Sequence, residues 1–331
     1  MQETPSPVQL AASLLAQKEV IAIPTETVYG LAGNLFSKKA VATIYELKKR
    51  PSSNPLIVHV PSLEAAKPLI KEIPDKLFQL ANLYWPGPLT LLLEKSDLVP
   101  DTITAGSNRV AIRVPNHPVT LELLNTINFP LVAPSANPYT RISPTKASHV
   151  EAYFGKSLKY ILDGGPCNVG LESTIVGIEN EQPVIYRKGI ISKEEIEKVV
   201  GPVIYFTPTN KTTPTPGLAP RHYAPLTAIA IHPRNKIKEL YKKGVAVVVL
   251  TAEIQDIPLE AQYVLSPSGS LEEAAQHLYE VLHEIDKAGF DLILCEQIPQ
   301  EGAGAALNDR LQRAAWENNT PSNTSTVGSI N

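Results

Sequence analysis

The stretch from Val20 to Val60 constrains the fold most, because its apolar residues change from the spacing of a strand to that of a helix and back. The run from Val20 to Ile23 is short, apolar and mostly β-branched, which is typical of a strand. Apolar residues then recur at helical spacing from Val41 to Leu47, and Pro51 ends this helix. A second apolar run extends from Leu56 to Val60. Strand, helix and strand in this order predict a βαβ-like unit with polar residues at the ends of its elements.

The rest of the chain predicts two α/β domains joined by a proline-rich linker. Its 331 residues are enough for about two domains that each bury a core. Residues 1–206 and residues 227–317 both alternate apolar runs with helical patterns. Between them, residues 207–226 begin with TPTNKTTPTPGLAP, which contains four prolines and almost no large apolar residue. We expect the polar end, residues 318–331, to be disordered.

Three sequence signals predict where helices begin. Ser143-Pro144 is a strong helix start, and Gly155 is a plausible end for that helix. Ser192 to Glu195 and Ser270 to Glu273 each have the spacing of a capping box. We therefore expect helices to follow directly after Ser143, Ser192 and Ser270.

Charge and cysteine content exclude several classes of protein. The net charge is -3 and the isoelectric point about 6.2, so no overall positive field attracts nucleic acid. Cys167 and Cys295 lie far apart and form neither a disulfide framework nor a zinc-binding spacing. No apolar run reaches membrane-spanning length. These features predict a cytoplasmic protein without membrane association.

A basic cluster at the end of the first predicted helix is a candidate phosphate site. Lys48-Lys49-Arg50 places cations at the rim of that helix, where they also suit the helix dipole. Taken alone, such a cluster is usually a solvated helix end. The hydroxyl and amide groups of Ser52-Ser53-Asn54 follow directly, and together the two segments predict a polyphosphate cradle. The sequence contains no P-loop motif.

Other polar residues lie at the ends of predicted strands, and each has two interpretations. Arg113 on a short apolar strand is either a structural ion pair or a clamp for a carboxylate or phosphate. His59 is either a core residue or part of a site. Ser135-Ala136-Asn137 is either an ordinary turn or a ligand-binding loop, and Glu172-Ser173-Thr174 is either a polar strand edge or part of a site.

The motifs of several enzyme classes are missing. Gly302 to Leu307 lacks the third glycine and the acidic partner of a dinucleotide fingerprint. There is no serine-hydrolase elbow, and the seven histidines have no metal-binding spacing. Anion-binding groups without a nucleophile or zinc site favour phosphoryl or nucleotidyl transfer, in which positioning and charge neutralisation do most of the catalysis.

Several motifs, taken in order, resemble the YrdC-like family. They are PTETVYGL, KKRP followed by NPLIVHV, WPGPLT, VAIRVP, APSAN, ESTIV and IYRKG. PGLAPRHYAP and GAGAALNDRLQRAA resemble the longer, two-domain members of that family. The resemblance extends from Val20 to Ala315. It implies an α/β protein with a YrdC-like twisted open sheet, helices and a concave, positively charged cavity, followed by a small Rossmann-like α/β domain.

The resemblance also implies a reaction. L-Threonine, bicarbonate or CO2, and ATP would give L-threonylcarbamoyl-AMP and pyrophosphate, the first step of the threonylcarbamoyladenosine modification of tRNA. The product would pass to the tRNA threonylcarbamoyl-transfer machinery, and direct binding of tRNA is left open. Mg2+ is expected as a cofactor held through the ATP phosphates, with no metal site in the protein itself.

The site residues implied by the resemblance fall into three groups. Lys48 and Arg50 are the catalytic candidates. The residues that would hold L-threonine are Thr27, His59, Arg113 and Ser173. The residues that would surround ATP are Arg50, Asn54, Ser135, Asn137, Ser143, Arg187 and Tyr223.

The end of the linker carries residues that a passive spacer would not need. The segment from Arg221 to Pro225 offers an aromatic ring and two potential cations, Arg221 and His222. We expect the linker to fold over the first domain as a lid that places Tyr223 against ATP and excludes water. The second domain would anchor the far end of this lid.

Two alternatives remain at this point. The cavity could belong to an RNA-binding module without turnover, although the negative net charge and the lack of interleaved aromatic residues count against this. The chain could also be a carbamoyltransferase that uses carbamoyl phosphate, as YrdC-like domains are within hydrogenase-maturation proteins. Those proteins carry zinc-binding and acylphosphatase parts that this sequence lacks.

Overall fold

The structure is a computed structural model that describes residues 5–207, 215–217 and 221–315. The tail expected to be disordered, residues 318–331, lies outside the described residues, as do residues 208–214 and 218–220 of the predicted linker.

Nine strands in the first part of the described chain form one curled, open sheet. They are Ile21–Ile23 (β1), Gly30–Asn34 (β2), Ile57–His59 (β3), Leu89–Glu94 (β4), Arg109–Arg113 (β5), Leu131–Val132 (β6), Thr174–Glu179 (β7), Gln182–Arg187 (β8) and Ile204–Tyr205 (β9). Their order is β1-β2-β6-β3-β5-β4-β7-β8-β9, with both parallel and antiparallel neighbours.

Helices connect and cover these strands. They are Pro7–Ala16 (α1), Lys38–Lys48 (α2), Leu63–Ala66 (α3), Asp75–Tyr84 (α4), Asp101–Thr104 (α5), Pro118–Thr126 (α6), Ala147–Phe154 (α7) and Lys193–Val200 (α8). The main core contains Ile44 of α2 with Val58 and Ile112 of the central strands, all fully buried. Burying each such side chain contributes about 1.5–3 kcal/mol before entropy is counted. A second cluster, which includes Leu15 and Leu124, packs α1 and α6 against β1.

The predicted βαβ-like unit is wrong in its first strand. β1 pairs antiparallel with β2, and the crossover through α2 joins β2 to β3. β6 lies between these two strands and is antiparallel to both. β2 reads GLAGN and gives little strand signal. Its Gly33 lets α2 approach closely, because an added Cβ would lie 3.1 Å from Ala40 Cβ and Ile44 Cδ1.

A second, four-stranded sheet follows the linker. Its strands are Ala228–His232 (β10), Val245–Val249 (β11), Gln262–Val264 (β12) and Leu292–Glu296 (β13), and its helices are Arg234–Leu240 (α9), Leu271–Ala288 (α10) and Gly304–Ala314 (α11). The order β10-β13-β11-β12 is parallel throughout. A twisted open sheet followed by a small Rossmann-like α/β sheet confirms the predicted fold class.

The predicted helix starts meet different outcomes. Ser192 begins α8 with a complete capping box, as predicted. Ser270 caps α10 by accepting the backbone N–H of Glu273, but the predicted capping box is incomplete, because the Glu273 carboxylate accepts from Ser266 and Ser268 instead. The prediction for Ser143 is wrong, because α7 begins only at Ala147. The Ser143 hydroxyl donates to Glu172 instead, across to another loop. Across the described ranges, every helix is too short or too polar to cross a membrane.

Candidate active site

The carboxyl ends of two central strands meet at an open cavity. β3 and β5 are parallel neighbours, and they end side by side at His59 and Arg113. The space between the lining atoms, open solvent included, is about 560 Å3. The predicted site residues that line it are Thr27, Arg50, His59, Arg113, Ser135, Ser173, Arg187 and Tyr223. The predicted site residues outside this lining are Lys48, Asn54, Asn137 and Ser143.

Arg113 forms an ion pair and also lines the cavity, so the structural pairing is confirmed and the ligand clamp stays a prediction. It is 4% exposed, and its Nη2 lies 2.6 Å from Glu26 Oε1. That contact is close but is not aligned as a hydrogen bond. Nη1 donates to the Thr27 hydroxyl at 2.8 Å, and Nε donates to the Gly87 carbonyl at 3.2 Å. These contacts hold the guanidinium plane in one orientation.

His59 is neutral at physiological pH. Burial, followed by the nearby charge of Arg113, lowers the pKa of His59 to about 3. Its Nδ1 lies 3.3 Å from the Ile57 carbonyl of its own strand. The ring therefore presents a neutral hydrogen-bonding edge to the cavity, next to a fixed positive charge.

Ser173 and Arg187 form another part of the cavity wall. Arg187 Nε and Nη2 donate to the carbonyl and the hydroxyl of Ser173, both at 3.0 Å. The Ser173 hydroxyl also lies 2.6 Å from the Thr90 hydroxyl. Burial lowers the pKa of Arg187. A guanidinium remains charged under these conditions, so this wall is cationic.

Lys48 and Arg50 lie at the end of α2, as predicted, but both are buried and not part of a solvated helix end. Lys48 is 1% exposed, and its ammonium donates to the carbonyls of Ser135 and Asn137 at 2.5 and 2.6 Å. Burial, followed by the charge of Arg50, lowers the pKa of Lys48. Lys48 itself lies outside the cavity lining. Its bonds to the two carbonyls fix the loop that carries Ser135.

Arg50 is also buried, but it does reach the cavity. Its Nη2 donates to Asn54 Oδ1 at 2.6 Å and to the Pro55 carbonyl at 2.8 Å. Burial lowers the pKa of Arg50 to about 10, which leaves it charged at neutral pH. Asn54 therefore fixes the orientation of the Arg50 guanidinium from outside the cavity lining.

The predicted polyphosphate cradle is only partly formed. Ser52 and Ser53 are exposed and lie outside the cavity lining, since the loop turns them away from it. Asn137 is buried beneath the loop, where its Nδ2 donates to the carbonyls of Pro138 and Arg141. Of the segments Lys48-Lys49-Arg50 and Ser52-Ser53-Asn54, which were predicted to form the cradle, Arg50 alone lines the cavity.

Described residues of the linker complete the cavity. Pro216, Gly217, His222 and Tyr223 all line it. Tyr223 is fully buried, and its hydroxyl has no hydrogen-bond partner among the described residues. His222 is not the second cation that the sequence predicted. Burial, followed by the charges of Arg50 and Lys48, keeps its pKa well below the usual value.

Glu172 is a cavity residue to which the sequence analysis gave no role, although it named Glu172-Ser173-Thr174 as either a polar strand edge or part of a site. Its Oε1 accepts from the Ser143 hydroxyl at 2.5 Å, and its Oε2 accepts from Arg310 Nε of α11 at 2.9 Å. Burial raises the pKa of Glu172, but Arg310 and Arg187 outweigh this effect and hold the pKa below its usual value. The only signal in the sequence was its position directly before an apolar strand.

Two family models match this chain. The Sua5/YciO/YrdC family, described as "Telomere recombination", matches residues 13–189. The family described as "Threonylcarbamoyl-AMP synthase, C-terminal domain" matches residues 191–316.

Individual proteins match over nearly the whole length. A Pyrococcus abyssi protein named threonylcarbamoyl-AMP synthase is 39% identical over 320 residues, covering 93% of this chain and 94% of that protein. A Bacillus subtilis protein of the same name is 41% identical over 317 residues, covering 92% of each. The crystal structure of P. abyssi Sua5 complexed with L-threonine superposes with a TM-score of 0.86 at 37% identity, covering 95% of this chain and 96% of that one.

Proposed function

The chain belongs to the Sua5/YciO/YrdC family, and on that premise we propose that it synthesises L-threonylcarbamoyl-AMP and pyrophosphate from L-threonine, bicarbonate or CO2, and ATP. Relatives named threonylcarbamoyl-AMP synthase span almost all of it, which makes it an enzyme of the nucleotidyltransferase type. The observation that carries the proposal is a cavity lined by three buried guanidinium groups, those of Arg113, Arg50 and Arg187.

L-Threonine would bind where β3 and β5 end. Arg113 is the natural partner of its carboxylate, because a guanidinium fork matches the geometry of a carboxylate. Thr27 and the neutral ring of His59 supply hydrogen-bonding groups next to it. The complex of the P. abyssi relative with L-threonine supports L-threonine as the ligand.

ATP would occupy the side of the cavity that Arg50, Arg187 and Tyr223 line. The two guanidinium groups would bind phosphate oxygens, and the Tyr223 ring offers an apolar surface. Ser135 adds a hydroxyl from a loop that Lys48 holds in place. Lys48, Asn54, Asn137 and Ser143 thus act on ATP through the residues that they position.

The reaction would proceed in two steps. The threonine amine first adds to CO2, which forms an N–C bond and releases a proton to give the carbamate. A carbamate oxygen then attacks the α-phosphorus of ATP, and the bond to the bridging oxygen breaks so that pyrophosphate leaves. Holding both substrates in line lowers the barrier mainly through proximity and charge neutralisation. This requires the carboxylate clamp and the cationic wall to face one another.

Mg2+ would enter with ATP and not through a protein site. In the described ranges, no group of three or more His, Cys, Asp or Glu side chains is placed to hold a metal ion. The carboxylate that lines the cavity, Glu172, already accepts from Ser143 and Arg310. This lining fits an ion held by phosphate oxygens, where it would neutralise charge on the departing pyrophosphate.

The product is a mixed anhydride, so a second enzyme system must transfer its threonylcarbamoyl group before water hydrolyses the anhydride. We propose that the tRNA threonylcarbamoyl-transfer machinery fills this role. Pro216, Gly217 and Tyr223 of the linker would exclude water from the cavity while the anhydride forms.

The proposal is tested by measuring pyrophosphate release from MgATP with each substrate omitted in turn. We expect release only when L-threonine and bicarbonate are both present. Formation of ADP and phosphate, or release that does not depend on threonine, would contradict the proposal. A requirement for carbamoyl phosphate in place of bicarbonate would favour carbamoyl transfer, and binding of RNA without any turnover would favour a binding module.

A further inference from the structure

Two side chains of the second domain reach a carboxylate in the wall of the cavity. Arg310 of α11 donates from Nε to Glu172 Oε2 at 2.9 Å. The hydroxyl of Tyr279 in α10 donates to the same oxygen at 3.0 Å. Arg310 is 1% exposed and Tyr279 is fully buried, so these hydrogen bonds are shielded from water.

Each of the three guanidinium nitrogens of Arg310 has a hydrogen-bond partner among the described residues. Its Nη2 donates to the Lys188 carbonyl of the first domain at 2.8 Å, and its Nη1 donates to Asp309 at 2.7 Å. Its guanidinium carbon lies 4.7 Å from the centroid of the Tyr223 ring. One arginine of the second domain therefore contacts the cavity carboxylate, the start of the segment after β8, and the aromatic residue of the linker.

Glu172 connects this arginine to the groups that face ATP. It directly precedes Ser173, whose carbonyl and hydroxyl both accept from Arg187. A shift of Glu172 would therefore move Ser173 and the guanidinium that it orients. A shift of Arg310 would also remove the cation that lies against Tyr223.

From this geometry we propose that Arg310 and Tyr279 are positioning residues for the ATP side of the cavity, and that the second domain thereby completes the active site. The inference rests on the proposed function, because it names how that same site is built. Neither residue lines the cavity, so both act through Glu172 and, for Arg310, through Tyr223.

A buried ion pair that only docks two domains is the simpler explanation, and it predicts something different. Such a pair changes the stability of the protein and leaves ligand affinity in the folded molecule unchanged. Buried pairs contribute little net stability, whereas removing one partner leaves an uncompensated charge that shifts its surroundings. Here the uncompensated charge would be Glu172, in the wall of the cavity itself.

The test compares Tyr279→Phe and Arg310→Met with matched controls in the same domain. Tyr279→Phe removes one hydroxyl and keeps the ring, and Tyr263→Phe removes a hydroxyl that has no bond to the first domain. Arg234→Met removes a guanidinium that pairs with Glu296, within the second domain. Arg310→Lys restores the charge without the fork. Each full-length variant is measured for its thermal unfolding midpoint and, by calorimetry with MgATP alone, for its ATP affinity.

We expect ATP affinity to fall about tenfold in Arg310→Met and several-fold in Tyr279→Phe, to recover partly in Arg310→Lys, and to stay at the wild-type value in both controls. Adding Glu172→Gln to Arg310→Met should weaken ATP binding little further, because both changes break one contact. If Arg310→Met does not fold, Tyr279→Phe decides the matter. Wild-type ATP affinity in the folded variants would overturn the inference.

Failure of the proposed function would look different. It would appear in the wild-type protein as pyrophosphate release that does not depend on threonine, whatever the variants do. Because ATP binding is measured without turnover, the two results are independent.

Discussion

Lys48 and Lys49 are adjacent in the sequence, yet only Lys49 is exposed. Lys48 follows Ile44 by one helical turn, so it continues the apolar face of α2 into the protein. Lys49 has a φ of 52° and ends the helix on the solvent side. The four-residue spacing of Ile44 and Lys48 was visible in the sequence, but the sequence analysis placed Lys48 with the cations at the helix end and did not predict its burial. The carbonyl partners of Lys48 could not be predicted, because they come from a loop far away in the chain.

Arg113 was identifiable from the sequence for a physical reason. Val110 and Ile112 point into the main core while Ala111 belongs to the opposite face, as the alternation predicted. A guanidinium on that second face needs a partner or a ligand. Glu26, its actual partner, lies 87 positions away on another loop, and local patterns carry no information about such pairing.

We predict that Arg113→Ala abolishes detectable binding of L-threonine and leaves ATP affinity nearly unchanged. Loss of a buried, charged hydrogen-bonding partner costs about 2–5 kcal/mol of binding free energy. Titration calorimetry with each ligand measures the effect.

A matched control lies on the same strand. Arg109 bonds Tyr186 and Glu179 at the other end of β5, outside the cavity lining, so Arg109→Ala should leave threonine affinity unchanged. Threonine affinity at the wild-type level in Arg113→Ala would show that Arg113 is a structural ion pair only.

The length of an element decides how well the sequence predicts it. α4, α8 and α10 were predictable because each has a long amphipathic pattern or a good cap. β9 and β12 span only two and three residues, respectively. Strands this short have too few alternating positions to show a period.

A substitution in the linker segment around Gly217 tests whether the linker acts as a lid. Gly217 has a φ of +88°, and an added Cβ would lie 2.7 Å from the Tyr223 hydroxyl and 2.8 Å from Arg187 Cδ. We predict that Gly217→Ala displaces both side chains and raises the KM for ATP by about tenfold, because both line the proposed ATP side of the cavity. Steady-state kinetics at saturating threonine measures this.

Gly201→Ala is the matched control for that substitution. Gly201 has a similar φ of +77°, but an added Cβ would meet no atom within 4 Å. Both variants carry the backbone strain of an alanine at a positive φ, which is on the order of 1–3 kcal/mol. An equal KM for ATP in the two variants would mean that the linker does not shape the site.

The two domains share one apolar cluster. Val28 and Leu171 of the first domain pack with Tyr223 of the linker and with Leu278 and Leu307 of the second domain. The sequence predicted both domains and the linker from composition and periodicity. It could not predict that α10 and α11 reach Glu172, because contacts between distant elements leave no local pattern.

The most direct test of the whole account follows the carbon of bicarbonate into the product. The protein is incubated with MgATP, L-threonine and bicarbonate labelled with heavy carbon, and the products are analysed by mass spectrometry. We predict a threonylcarbamoyl-AMP ion that carries the label in its carbamoyl group and disappears when threonine is omitted. A nucleotide product without the label, or AMP formed with no threonine attached, would contradict the account.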